Sequence, residues 1–218
     1  MLEAEAARVC EILLRRGGAS PLLNLGSSTA RHREIVAPHI ERALFAPLRR
    51  AGIEVVHCDL KTGEGVDVAG DVLDRATRAR LAAAGFRSLL AANLLEHVRD
   101  RAAVAAACEA IVGPGGAILA TVPRSYPYHA DPLDSGWRPG PDELAALFAG
   151  SRVLLAEEIA GPTYAEAIAA AGGSVGSELA RTLGALLALR PRSFASRLHR
   201  WAWYRRRYRV SLALVEVA

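Results

Sequence analysis

The residues best suited to bind a ligand follow the apolar runs of this sequence at the points where each run stops. The run 21–25 leads into Gly26, and a glycine there lets a ligand approach the backbone closely. A second run ends at Asp59, whose carboxylate can accept two hydrogen bonds from the cis-diol of a ribose. Asp71 follows a third run and can accept from the exocyclic amine of adenine. Each acid could equally be a turn former or a helix cap.

Two histidines are the candidates for proton transfer near neutral pH. His97 lies in the segment 93–98, where packing and hydrogen bonding within the fold are the competing interpretation. His129 lies in the segment 123–141, which is long for a connection without a helix or strand and is therefore predicted to be functional. The same segment supplies the side chains that we expect to form the wall of a substrate site, namely Tyr126, Tyr128, Asp131, Trp137 and Arg138.

Apolar runs alternate with helical patterns along most of the chain. Residues 3–16 place apolar side chains at helical spacing, which predicts an amphipathic helix that ends at Gly17. We predict strands at 21–25, 53–58, 66–69, 86–92, 117–122, 153–159 and 210–217, and further helices at 73–84, 93–111 and 142–148. Continuous apolar strands between helices indicate a Rossmann-like α/β fold, a seven-stranded mostly parallel sheet with helices on both faces. A ligand of such a sheet lies beyond the carboxyl ends of its strands.

The positive charge of the chain is concentrated near its C-terminus. The formal net charge is +4, yet residues 190–209 carry eight arginines and no acid. We expect 161–209 to form a helical, basic insertion, and 1–160 with 210–218 to form the main domain. Such local basicity favours an anionic membrane surface or a phosphorylated substrate over specific nucleic acid, and a solvated helix face is the plain alternative. The oligomeric state stays open.

The cysteines and the hydrophobic segments bear on the compartment. Cys10, Cys58 and Cys108 show no CxxC spacing, which argues against a disulfide framework and against zinc, so no metal is expected. The N-terminal residues show no secretory signal pattern, and the segment 165–189 is interrupted by charges and glycines, so it would span a membrane poorly. We therefore expect a cytoplasmic protein, with a peripheral position at the inner membrane face left open by the arginines.

Four segments resemble the class I S-adenosylmethionine-dependent methyltransferases, especially bacterial small-molecule enzymes with a Leu-Glu-His-Val helix: 22–28, 65–71, 93–98 and 111–123. The resemblance covers about residues 20–125 and implies S-adenosyl-L-methionine as cofactor. It implies that the methionine end is held by Asn24, Gly26, Ser27 and Ser28. It places Asp59 and Leu60 at the ribose, Gly70, Asp71 and Val72 at the adenine, and Asn93 and Leu94 near the sulfonium.

The resemblance implies methyl transfer to an oxygen or nitrogen of a small metabolite or of an envelope glycan or lipid-linked acceptor. Such a transfer needs alignment and removal of an acceptor proton, but no metal. A nicotinamide-dependent oxidoreductase is disfavoured because no GxGxxG follows the first strand and Asp59 lies farther from Gly26 than the typical spacing of about 20 residues. A degenerate, methyltransferase-like scaffold or binding subunit without catalysis stays open, since the turn has one glycine and Asn24 replaces the commoner acid.

Overall fold

The computed structural model describes residues 1–128, 133–188 and 190–218. Within them one sheet has the strand order β3-β2-β1-β4-β5-β7-β6, in which β7 is antiparallel to both neighbours and the remaining pairs are parallel. The predicted Rossmann-like α/β fold with seven mostly parallel strands is confirmed. The strands are β1 (Leu22–Leu25), β2 (Val55–Asp59), β3 (Val68–Ala69), β4 (Ser88–Ala92), β5 (Ala117–Ser125), β6 (Ser151–Thr163) and β7 (Arg207–Val217).

The helices connect these strands. They are α1 (Glu3–Arg16), α2 (Pro38–Ile40), α3 (Ala46–Arg50), α4 (Arg75–Ala83), α5 (Arg101–Val112), α6 (Pro141–Ala145), α7 (Tyr164–Ala170), α8 (Val175–Leu187) and α9 (Pro191–Arg200). Two π-helical turns, His32–Val36 and Glu41–Phe45, lie on either side of α2, and a 3-10 turn, Trp201–Trp203, follows α9. The helix predicted over 3–16 is found at those residues.

The sheet has a hydrophobic core on each face because successive side chains of a strand point to opposite sides. Leu22 packs with α1 and with residues of the α2–α3 region, whereas Leu23 packs with α4, α5 and the segment around α6. Both leucines are fully buried. This explains why the central strands carry apolar residues at successive positions and not only at alternate ones.

The single helix predicted over 93–111 was wrong. Asn93 adopts a left-handed conformation with φ of 50°, residues Leu95–His97 form only a 3-10 turn, and the helix proper, α5, begins at Arg101. The reason is a restart signal: the Asp100 carboxylate accepts a hydrogen bond from the Ala103 amide at 2.9 Å and caps the new helix. His97 therefore lies in a 3-10 turn and not in the first turn of a long helix.

The strands at the antiparallel edge are longer than their apolar runs. β6 extends to Thr163, and β7 begins at Arg207 because these two residues still pair across the ladder. Backbone pairing does not require buried side chains, so β6 and β7 extend beyond the apolar runs from which they were predicted. Helices α7, α8 and α9 lie between the two strands, and no helix of the described ranges is long and apolar enough to cross a bilayer.

Candidate active site

The turn after β1 has a backbone that demands a glycine at its first position. Gly26 has φ of 73°, and a Cβ atom built there would lie 3.0 Å from Cδ1 of Leu94. Ser28 has φ of 52°, which is uncommon for a residue with a side chain. The amides of Gly26 and Ser27 both donate to the carbonyl of Cys58, at 2.8 and 3.0 Å. The turn is thus held tightly against the end of β2, and Leu94 closes it from the side of β4.

Asp59 ends β2 directly beside this turn. Its Oδ2 accepts from the Ser28 amide at 2.7 Å, and its Oδ1 accepts from the Lys61 amide at 3.0 Å. A carboxylate oxygen has two lone pairs, so both oxygens keep the capacity to accept one hydroxyl of a diol. The next residue, Leu60, exposes 72% of its surface. An acid and an exposed apolar side chain at adjacent positions suit the polar and flat parts of a nucleoside.

The three residues predicted at the adenine follow β3 and differ in their surroundings. The Gly70 amide donates to the Asp59 carbonyl at 2.9 Å, so this residue adjoins the end of β2. Asp71 is exposed, and its carboxylate accepts from the Leu73 amide at 2.9 Å, which is the turn-forming role. Val72 is buried in the core under α4 and α5. Of the three, Gly70 and Asp71 lie where a ligand beside Asp59 could reach them.

A buried arginine that the sequence did not single out clamps the glycine turn. Arg33 donates to the carbonyls of Ser27 and Ser28 at 3.0 and 2.6 Å, and to the carbonyl of Gly65 at 2.8 Å. Burial lowers the pKa of its guanidinium, and the three carbonyl oxygens accept hydrogen bonds from three of its five N–H donors. The side chain therefore joins the turn after β1 to the segment after β2. Only the tertiary fold reveals this contact.

Asn24 faces its neighbouring strand. Its amide Nδ2 lies 3.0 Å from Nδ1 of His57, and the two residues are in register across β1 and β2. Burial, followed by the charge of Arg33, lowers the pKa of His57 to about 4. The imidazole is therefore neutral at physiological pH, and its Nδ1 accepts the hydrogen bond that the Asn24 amide donates. The amide of Asn24 is committed to a contact within the sheet.

Asn93 stands at the end of β4 in a strained backbone conformation that other contacts impose. Its amide N–H donates to the Thr121 carbonyl at 2.9 Å, and its Nδ2 donates to Oε1 of Glu5 at 2.8 Å. Glu5 is fully buried and also accepts from the Thr121 hydroxyl at 2.6 Å. Left-handed residues held in this way are concentrated at functional sites. Glu5 was not predicted, although a carboxylate one helical turn before Val9 on an apolar stripe was the available signal.

A cavity of about 230 Å³ opens next to Asn93, between α1, the end of β5 and the start of β7. The rings of Tyr126 and Tyr208 form one wall with their centroids 4.9 Å apart. Burial raises the pKa of both hydroxyls, that of Tyr208 to about 12, so both stay protonated near neutral pH. The polar and aromatic side chains around the cavity are Glu5, Asn93, Tyr126, Tyr128, Arg200 and Tyr208.

The predicted substrate residues are only partly brought together. Tyr126 and Tyr128 line the cavity, whereas Trp137 and Arg138 do not. The Trp137 indole donates to Glu143 at 3.2 Å, and Arg138 makes a two-pronged pair with Asp134 at 2.9 and 2.6 Å, so both are engaged elsewhere. The remaining predicted residues on this loop, His129 and Asp131, lie outside the described residues.

His97 lies beside a buried acid and not at the cavity. Its Nδ1 is hydrogen-bonded to the Leu133 carbonyl, and its Nε2 lies 3.7 Å from the carboxylate of Glu96. The Glu96 side chain is fully buried, and neither of its oxygens has a hydrogen-bond partner among the described residues. Burial, with the charge of Glu5 adding to it, raises the pKa of Glu96 to about 8. This carboxyl is therefore protonated at neutral pH.

No group of three or more metal-ligating side chains occurs in the part of the chain that the structure describes. What this site does offer is an acid and an exposed apolar residue at the end of β2, a close-packed glycine turn after β1, and a separate cavity beyond β4 and β5. These three features meet at the end of β4, where Leu94 contacts the turn and Asn93 lines the cavity. The cavity has room for one small molecule, and Asp59 and Leu60 offer groups that can contact a nucleoside.

The chain has the fold of the class I S-adenosylmethionine-dependent methyltransferases. It is similar over 97% of its length to 93% of a SAM-dependent methyltransferase from Archaeoglobus fulgidus, with 12% identity and a TM-score of 0.55. It is also similar, over 99% of its length, to 78% of the 1,6-didemethyltoxoflavin-N1-methyltransferase of Burkholderia thailandensis, with 18% identity and a TM-score of 0.54. That structure holds the methyl acceptor and S-adenosylhomocysteine.

A third similar structure has a different activity. The 4+2 cyclase SpnF matches 97% of this chain over 81% of its own, with 14% identity and a TM-score of 0.54. No family model and no curated protein matches the sequence. The fold is therefore supported by structural similarity alone, and a fold does not determine the reaction, which depends on the residues of the site.

Proposed function

We propose that the protein binds S-adenosyl-L-methionine around Asp59 and transfers a methyl group to an oxygen or nitrogen of a small acceptor bound in the cavity. The observation that carries this proposal is the junction at the end of β4. Leu94 packs against the glycine turn, while the adjacent Asn93 lines the cavity. Two ligands bound on either side of this dipeptide would be neighbours, as a transfer reaction requires.

The residues at the strand ends fit the adenosyl half of the cofactor. Asp59 would accept the ribose hydroxyls, Leu60 would cover the base, and Gly26 would allow close approach at the turn, since a Cβ there would already press on Leu94. When bound, the cofactor supplies a methyl group already activated on a sulfonium. The turn offers fewer groups to the methionine half of the cofactor, because the carbonyls of Ser27 and Ser28 already accept hydrogen bonds from Arg33.

The cavity residues account for binding and orientation of the acceptor. Tyr126 and Tyr208 provide a largely buried aromatic wall that excludes water, and their protonated hydroxyls can donate hydrogen bonds. Arg200 provides a positive charge at the same cavity, which favours an acceptor with a carboxylate or phosphate. Glu5 fixes the Asn93 side chain through its 2.8 Å hydrogen bond. His129 stays our predicted base for the acceptor proton.

Calorimetric titration with S-adenosylmethionine and S-adenosylhomocysteine tests the proposal. We expect the wild-type protein to bind both, and Asp59→Asn to bind each about tenfold or more weakly, since hydrogen bonds to a charged group contribute roughly 1.5–3 kcal/mol. Asp142→Asn, at an exposed acid on α6, is the matched control and should bind like the wild type. Failure of the folded wild type to bind either ligand would refute the proposal and favour a scaffold or binding subunit without catalysis.

A screen of acceptors follows once cofactor binding is measured. Transfer of a labelled methyl group should be tested on small metabolites and on glycan or lipid-linked compounds, each with and without an anionic group. Arg200→Gln should raise the KM for anionic acceptors and leave that for neutral ones unchanged, because the guanidinium contacts the acceptor and not the cofactor. An equal effect on both kinds of acceptor would contradict the assignment of Arg200.

A further inference from the structure

Helix α8 directs polar side chains toward the protein. The buried carboxylate of Glu178 accepts hydrogen bonds from the Tyr164 hydroxyl and from Arg197, both at 2.8 Å. One turn later, the Thr182 hydroxyl accepts from the indole N–H of Trp201 at 3.3 Å. These contacts with α7, α9 and the turn after α9 fix the rotation of α8 about its axis. The outward face of the helix is therefore set by specific polar bonds on its inner face.

The outward face of α8 is apolar. At about 100° per residue, its exposed apolar side chains fall within an arc of about 120° of the helix surface. Each of them exposes between 45% and 83% of its surface in the part of the chain that the structure describes. On α9, which packs against α8, Leu198 is also more than half exposed. We call the residues on α8 the leucine face: Val175, Leu179, Leu183, Leu186 and Leu187.

Uncompensated positive charge follows this face in the sequence, and α9, which lies within the basic segment, packs against α8. Arg197 is paired with Glu178, but four other exposed arginines of the segment 190–209 have no carboxylate partner among the described residues. The segment 190–209 that holds them contains no acid at all. The four unpaired arginines are Arg190, Arg200, Arg205 and Arg206.

We propose that the leucine face docks the protein on the surface of an anionic lipid bilayer. An apolar helix face that enters the boundary between headgroups and acyl chains, with arginines on the lipid phosphates, is the physics of an interfacial helix. A second copy of the chain fits less well, because pairing through the same face would bring two arginine-rich segments together. The proposal is independent of the methyl transfer, but Arg200 belongs both to this segment and to the cavity, so a lipid-linked acceptor would reach the site from the bilayer.

Flotation of the full-length protein with lipid vesicles tests the docking. At low salt we expect binding to vesicles of equimolar phosphatidylglycerol and phosphatidylcholine and little binding to phosphatidylcholine alone. The double variant Leu183→Glu/Leu187→Glu should lower partitioning at least about tenfold, since it places two charges where apolar side chains would enter the bilayer. Val153→Glu is the matched control, because Val153 is a half-exposed apolar residue near the start of the edge strand β6, at the opposite end of that strand from α7. It should bind like the wild type.

A second pair of variants separates the role of charge. Arg190→Gln and Arg205→Gln should each lower partitioning roughly fivefold, and added salt should reduce the difference. Absence of wild-type binding to anionic vesicles, or wild-type binding by the double leucine variant, overturns the proposal. So does a wild-type dimer in light scattering that the leucine variant abolishes, which would assign the face to a second copy. Cofactor titration of the leucine variant should match the wild type, so a failure of docking is distinguishable from a failure of the proposed function.

Discussion

Replacement of Glu96 by glutamine should stabilise the protein at alkaline pH and leave it nearly unchanged at acidic pH. The Glu96 carboxyl is fully buried and has no hydrogen-bond partner within residues 1–128, 133–188 and 190–218, and burial raises its pKa to about 8. In the unfolded chain a glutamate titrates near about 4.3. Between these two values the native protein holds a proton that the unfolded chain releases, so the free energy of unfolding falls as pH rises through this range.

The size of the effect follows from the same two values. One pKa unit corresponds to about 1.36 kcal/mol, so ionisation of Glu96 in the folded protein costs about 5 kcal/mol relative to the unfolded chain. Half of that is already a large part of the stability of a domain, which is about 5–15 kcal/mol. Glutamine has nearly the same shape as the protonated acid and does not ionise. The stability difference between Glu96→Gln and the wild type should therefore grow from near zero at pH 4 to several kcal/mol at about pH 8 and then level off.

Urea unfolding followed by circular dichroism at a series of pH values between about 4 and 9 measures this difference directly. Glu54→Gln, at an exposed glutamate, serves as control and should run parallel to the wild type over the whole range. A constant offset between Glu96→Gln and the wild type, or a difference below about 1 kcal/mol at pH 8, would show that the Glu96 carboxyl finds a partner or solvent in solution. The nearby negative charge of Glu5 helps to raise the pKa of Glu96. The stability difference between Glu96→Gln and its parent should therefore be smaller in a Glu5→Gln background.

Two further substitutions probe the glycine turn. Gly26→Ala should cost about 1–2 kcal/mol from its left-handed backbone alone and more from contact with Leu94. Gly85→Ala, with φ of 71° and no atom within 4 Å of the added Cβ, should show the backbone cost without the contact. Equal losses in urea unfolding would argue against the tight packing. Arg33→Lys should lose about 2–3 kcal/mol because one ammonium cannot reproduce the planar fork on three carbonyls, and Arg31→Lys, at an exposed position, should lose almost nothing. A thermal midpoint of Arg33→Lys equal to that of Arg31→Lys would mean that the clamp contributes nothing to stability.

The central strands could be predicted from the sequence because burial on both faces of the sheet requires apolar residues at successive positions. Leu22 and Leu23 must both be apolar, since one enters the core beneath α1 and the other the core beneath α5. The order of the apolar runs then indicates the α/β class, and the carboxyl ends of the strands indicate where a ligand would bind. These inferences need only local pattern and the general geometry of parallel sheets.

Contacts between residues far apart in the chain could not be predicted in this way. The hydrogen bond between Glu5 and Asn93 joins positions 88 residues apart, and Arg33 reaches the carbonyl of Gly65 through a fold that no local pattern specifies. The rotation of α8 is likewise set by Arg197 and Trp201, which follow it in the sequence. The restart of the helix at Asp100, in contrast, has a signal in the sequence, since Asp is a favoured N-cap residue, but the apolar spacing continues across it and predicts one unbroken helix.

The position of β7 also constrains the order in which the molecule can assemble during synthesis. Among the described residues, β6 pairs with β7 alone, and β7 is synthesised after the other six strands of the sheet. Until then β5 has an open edge and β6 has no strand to pair with, so the five strands from β3 to β5 in the sheet order can pair first, and β6 must wait for β7. The intervening helices α7, α8 and α9 are synthesised during that interval, while β5 offers an unpaired edge to other nascent chains.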